Sequence, residues 1–378
     1  MAINLTLDTD PLQANGSTIF NTFEDLKAYI TTTYGNSWTG QGTLTVTCQS
    51  SDGQPYVGGI VVDDFVPSET DNMIIRAVKV GNTPFRQTPP DNFTSSLIGI
   101  ADDYVDVITE LGTWFLDGSQ GAINNHFFCH SSKAGVTEGI VLLGNGTTTG
   151  AALYAGSYAR TYRKCIVKDF HRPFYGAFRD GSTVLNIDQC VFIDNVYGRS
   201  ANTISNSILI NTPIQTQYGI HSSSNNNAYT QSQTIDMYSD AVMGDANSVF
   251  DFVAVDHVAA RADGGVNIIV GSPLATTASD GGPVGADALI ITPATIATNI
   301  TRGASFDIVL EGHTAGPSTE WVDVVIKDVA GDGTEYPCTV TTYTDILIQA
   351  TAPDTGAIAA MSGAQVIVRY KSKLGYFE

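Results

Sequence analysis

The chain has 378 residues and a formal charge of −20, from 38 acidic against 18 basic side chains. Phosphate contacts need clustered Lys or Arg, so nucleic acid is not an expected partner. No segment approaches the roughly 20 consecutive apolar residues of a helical membrane span, so no membrane partner is expected either. Charged residues make up only 15% of the chain and glycine occurs 37 times. That composition favours many short strands and turns, and it predicts an all-β protein with one large elongated domain and a smaller one.

The first residues, Met1 to Asp8, lack a basic stretch followed by an apolar one, so no secretory leader is expected and the chain is read as made in a cytoplasm. Residues 1–19 alternate Ile3, Leu5 and Leu7 with polar neighbours, a strand pattern without a nearby hairpin partner. They are read as an N-terminal arm able to pair with another chain. Residues 22–34 predict a capping helix: Thr22 and Asp25 form a capping-box start, Phe23, Leu26 and Ile30 share a face, and Gly35 supplies the stop.

Repeats dominate the middle of the chain. Tyr154-Ala155, Tyr175-Gly176, Tyr197-Gly198 and Tyr218-Gly219 recur every 21 or 22 residues, and Tyr238-Ser239 follows. The runs Cys165–Asp169, Cys190–Asp194 and Ser207–Asn211 align column by column. A leucine-rich repeat has a similar period, but its LxxLxL consensus is missing and the runs are strand-like. The pattern therefore predicts a parallel β-helix whose circuits of about 22 residues stack about 4.8 Å apart.

Towards its end, Gly271-Ser272-Pro273-Leu274-Ala275 is followed by Asp280-Gly281-Gly282 and Gly285-Ala286. This run of about fifteen residues resembles the closing segment of pectate-lyase-like right-handed parallel β-helix proteins, in which a GSPA-type turn precedes a DxGA-type turn. The resemblance implies a capped right-handed β-helix over residues 20–287.

Beyond it, strand candidates at Phe306–Glu311, Trp321–Asp328, Pro337–Tyr343, Ile346–Ala350 and Gln365–Lys371 alternate with turns, and Asp332-Gly333 is a hairpin signal. Residues 288–378 are read as an immunoglobulin-like β-sandwich without the Cys…Trp…Cys pattern of antibody domains.

Candidate chemistry is sparse. The aligned runs place Asp169, Asp194 and Asn211 in one column about 5 Å apart, a spacing that suits a retaining glycosidase pair, a Ca²⁺ ion or a sugar hydroxyl. The same pattern fits a polar ladder that satisfies turn backbones. Arg163, Lys164, Arg172 and Arg179 cluster nearby, and Arg179-Asp180 has the residue types of a lyase base and its neighbour, although nothing fixes the geometry and ion pairing with the acidic surface is the simpler account of them. His126 and His130 match the HExxH spacing, but on a strand they stand about 13 Å apart, too far for one zinc ion. Asp63-Asp64 and Asp102-Asp103 with Asp106 are acidic enough for Ca²⁺ but lack EF-hand spacing. The five cysteines have no CxxC pair and read as buried free thiols. No catalytic set and no cofactor or metal are expected.

Right-handed β-helices serve polysaccharide lyases, glycosidases and bacteriophage tailspikes. With a stable fold, no assembled catalytic set and an appended sandwich, the chain looks like a bacteriophage virion surface protein: a head-decoration, spike or tail component. That resemblance implies a homo-oligomer, a trimer in particular, with capsid or tail subunits and host surface polysaccharide as partners. The alternative is a tailspike-type polysaccharide depolymerase.

Overall fold

The computed structural model describes residues 2–65, 67–90, 96–119, 128–130, 135–146, 151–155, 160–176, 185–196, 203–213, 225–230, 248, 254–261, 264–269, 272–288, 290–291, 302–309, 322–327, 335–343, 347–354, 365–372 and 375–376. It is an all-β protein with long parallel sheets. The chain divides into two compact units, Met1–Phe252 with Thr277–Asp287, and Val253–Thr276 with Ala288–Glu378. The segment 253–276 thus groups with the C-terminal residues, while 277–287 returns to the first unit.

The first unit is built from three parallel sheets of nine, eight and five strands. The chain visits them in rotation. Leu44–Gln49 lies in the first sheet, Tyr56–Val57 in the second and Ile60–Val62 in the third, after which Met73–Ala77 returns to the first beside Leu44–Gln49. The same rotation continues through Arg172–Gly176, so each strand pairs with the strand one circuit earlier, an arrangement compatible with a β-helix-like fold.

Alternation explains the packing: in Leu44–Gln49, Leu44, Val46 and Cys48 are buried and the residues between them are not. The inward residues of all three sheets share one core, including Val46 from the first, Leu142, Val167, Phe192 and Leu209 from the second, and Ile98, Phe128 and Phe174 from the third. Several strands of the second sheet, Trp114–Asp117, Ile166–Lys168, Val191–Ile193 and Ile208–Ile210, are buried on both faces. Val191 and Ile208 point away from that core, yet both are fully buried, and the Thr277–Asp287 segment reaches them through Gly285.

Two sequence expectations need correction. Circuits are not uniform: Met73 pairs with Val105, 32 residues on, Arg160 with Leu185, 25 on, and Asn186 with Thr203, only 17 on. Parallel strands constrain where they pair and leave the connections free to vary in length. The N-terminal arm is also not free. Ile3–Asp8 pairs in parallel with Leu44–Gln49 over all six residues, and Ile19–Phe20 covers part of its other edge. The apolar alternation found its partner 41 residues away in its own chain, so the arm offers no open strand of that length to a second copy.

The helix forms as expected over Phe23–Tyr34. Thr22 accepts a hydrogen bond from the Asp25 backbone N–H at 3.1 Å and donates its hydroxyl to the Asp25 carboxylate at 2.7 Å. Phe23, Leu26 and Ile30 are buried in the first unit's core, and Gly35 ends the helix at φ 77°.

In the second unit, Val258–Ala260, Val266–Ile269 and Ile290–Ile291 form a small sheet. All five C-terminal strand candidates are present, with ends shifted by a residue or two. Ser305–Val309, Leu347–Thr351 and Thr339–Tyr343 make one antiparallel sheet. Val322–Lys327 pairs with Glu335–Pro337 and with Gln365–Ser372 in another. Residues 328–334, which include the expected Asp332-Gly333 turn, lie outside the described residues; the strands on either side pair antiparallel. Ile308, Ile348 and Ala350 from one sheet and Val324, Ile326 and Val366 from the other share a second core.

Candidate functional site

The register of the second sheet pairs Ile166 with Val191 and Val191 with Ile208, which aligns Asp169, Asp194 and Asn211 just past the strand ends. All three have positive φ, at 61°, 52° and 46°. Asp and Asn tolerate this left-handed conformation better than other non-glycine residues, which accounts for their choice at the turn. Backbone bonds lock the column: the Asp169 N–H donates to Ile193 O at 3.1 Å and the Asp194 N–H to Ile210 O at 3.0 Å. The Asn211 N–H donates to Thr230 Oγ1 at 2.9 Å, and its amide Nδ2 donates to Asp194 Oδ1, also at 2.9 Å.

Lys168 joins this column from the preceding position. In its own register it stands among Leu143, Ile193 and Ile210, with Asp117 on the strand beyond Leu143, so it is the one basic residue among those partners. It is 5% exposed. Burial holds its ammonium below the usual lysine range, against the attraction of Asp169 and Asp194. Burial likewise pushes the Asp169 carboxyl up to about 6, with Lys168 opposing and Asp194 adding to the rise.

Two carboxylates one circuit apart, one of them protonated at mildly acidic pH, are the ingredients of a retaining glycosidase. Access to Asp169 is missing, however. Asp169 is 6% exposed and its Oδ1 is buried with no hydrogen-bond partner among the described residues. A buried proton cannot reach a glycosidic oxygen. What the column does in this geometry is hold successive turns in register. Sequence reasoning overlooked Lys168; the signal was a lysine at a position that its aligned neighbours fill with Ile.

The acidic pairs are brought together by pairing of Ile60–Val62 with Ile98–Ile100. Lys27, reaching from the capping helix, binds Asp63 and also Asp64, the latter at 2.6 Å. Asp102 accepts the Phe65 N–H at 2.7 Å. Burial raises its carboxyl to about 6, with repulsion from Asp63 and Asp64 adding to the shift. Asp106 accepts the Val136 N–H at 2.8 Å. These carboxylates have an ammonium or backbone amides for partners, and among the described residues no group of three His, Cys, Asp or Glu side chains is placed to hold a metal ion.

Two residues of the basic cluster are ion-paired. Arg163 binds Glu138 at 2.5 Å, and Lys164 binds Asp287 at 3.0 Å. Arg172 lies on the third sheet, and Arg179-Asp180 lies outside the described residues. His130 ends the Phe128–His130 strand, while His126 lies outside the described residues. Tyr154 and Tyr175 are register partners whose rings stack at 5.7 Å and 13°. Tyr197, Tyr218 and Tyr238 lie outside the described residues. Cys48, Cys165 and Cys190 are buried free thiols, and Cys338 is half-buried. Compared with protein-family models, with curated proteins and with solved structures, the chain finds no match.

Proposed function

We propose that this chain is a structural protein of a tailed-bacteriophage particle, a head-decoration, spike or tail component that acts by assembly and host-surface binding and not by catalysis. In this reading residues 20–287 form a capped right-handed parallel β-helix and residues 288–378 an immunoglobulin-like sandwich. The observation that carries it is the fate of the Asp169, Asp194 and Asn211 column. The polar residues that a β-helix enzyme would turn towards substrate here hold left-handed turns, with Asp194 bonded to Asn211 and Asp169 buried. A β-helix whose polar columns are consumed by its own turns is a scaffold, and a scaffold resistant to local opening suits a particle surface.

Capsid or tail subunits are the proposed partners, and the protein self-associates as a trimer through a surface other than the N-terminal strand. The test is mass spectrometry and immunogold labelling of purified particles from a producing culture, with light scattering for the oligomer. Particles free of the protein would sink the reading.

The depolymerase alternative draws on the raised Asp169 carboxyl beside Asp194. Incubation with capsule or lipopolysaccharide, followed by reducing ends and unsaturated uronate, decides it: product that Asp194→Ala abolishes would replace the scaffold reading.

A further inference from the structure

The capping helix and the turn before it enclose an open cleft of about 580 Å³. Ile19, Phe20 and Tyr29 form its apolar wall, and Asn21, Asp25 and Thr32 supply polar atoms. Among the described residues no Lys, Arg or His lines it.

Three features make it a prepared site. The Tyr29 ring is only half-buried but fixed between two others, 5.2 Å from Phe20 and edge-on to Tyr34 at 6.4 Å. The Asp25 carboxylate is oriented by the Thr22 hydroxyl at 2.7 Å. The turn that forms the other wall is braced by Asn15, whose Oδ1 accepts the N–H groups of Ser17, Thr18 and Ile19 at 3.0, 2.8 and 3.0 Å. A ligand entering such a site orders little that is not already ordered.

The chemistry selects the ligand. A partly exposed ring offers its electron-rich face to C–H groups, while a carboxylate, an amide and a threonine hydroxyl offer acceptors and donors for hydroxyls. An anionic group would meet Asp25 with no cation to offset it. The volume lies within the usual range for small ligands, about 300–1,000 Å³. A shallow opening leaves outward hydroxyls in water, so they lose no hydration on binding.

We propose that this cleft is a binding subsite for an uncharged hexose unit of a polysaccharide. The inference deepens the host-surface part of the function proposed above and rests on it for its biological setting.

Calorimetric titration of the full chain with maltotriose, cellotriose, mannotriose and galactotriose tests it. Binding of at least one probe in the millimolar range is expected. Tyr29→Ala, which removes the ring, weakens that binding by about tenfold or more, whereas Tyr29→Phe keeps it. Thr32→Lys, an exposed change on the helix surface that leaves the core intact, blocks the cleft, and Asp194→Asn on the distant turn column has no effect. No binding to any of the four sugars, or unchanged binding by Thr32→Lys, overturns the proposal. Labelled particles with an empty cleft would sink this inference alone; sugar binding without particle labelling would sink the virion reading alone.

Discussion

Replacing Gly285 by alanine tests how the returning segment Thr277–Asp287 is seated on the second sheet. Gly285 has φ +95°, and a Cβ there would lie 2.9 Å from Ile208 Cδ1 and 3.1 Å from Val191 Cγ2. Gly281, in the same segment, has φ +80° and open space around the same position. Each backbone N–H donates a 2.8 Å hydrogen bond, Gly285 to Asn206 O and Gly281 to Ala278 O.

Both substitutions therefore carry the left-handed penalty, about 1–2 kcal/mol for a residue with a Cβ, and both gain the same fraction of that back from a stiffer unfolded chain. Only Gly285→Ala adds overpacking, which costs about 1–3 kcal/mol in a filled core. The nearest atom is the end of an isoleucine side chain, which can turn aside, so the lower half of that range applies. Gly285→Ala is expected to be less stable than Gly281→Ala by about 1–2 kcal/mol. Urea unfolding followed by tryptophan fluorescence measures it, since Trp38 and Trp114 both lie in the first unit's core. Equal midpoints for the two variants would refute the seating of the segment on Val191 and Ile208.

Two further outcomes follow from the core and from its charges. Phe192 is fully buried and meets Phe174 edge-on at 5.2 Å, and the strands on either side cannot collapse into its space. Phe192→Ala should therefore cost about 3–5 kcal/mol, against less than about 0.5 kcal/mol for Val196→Ala at an exposed position; similar losses by urea unfolding would contradict the inward register. Asp102 has its folded pKa raised to about 6, so the native state binds the extra proton, and the stability it contributes is complete below its unfolded pKa and is lost as pH rises through about 6. Unfolding free energy should thus fall between about pH 4 and pH 7, with Asp169 adding to the same slope, and Asp102→Asn should make it shallower; an unchanged slope in the variant removes Asp102 as a source.

What the amino-acid sequence determined by itself is local. The helix over Phe23–Tyr34 follows from a Thr22 cap and a three-residue apolar face, and the C-terminal strands follow from alternation bounded by turn residues. The alignment of Cys165–Asp169 with Cys190–Asp194 and Ser207–Asn211 was legible because stacked strands repeat the same burial pattern and left-handed turns favour Asp or Asn.

Tertiary structure decided the rest. Ile3–Asp8 joined Leu44–Gln49 rather than another chain, and Asp102 came to face Asp63 and Asp64, because parallel neighbours are chosen by hydrogen bonds and burial across 30 or 40 intervening residues. The same distance hid the burial of Lys168 and Asp169, whose charges could be valued only once their surroundings excluded water. Local preference acts through a residue's own backbone and near neighbours, whereas desolvation depends on everything that packs around it, and no short stretch of sequence carries that information.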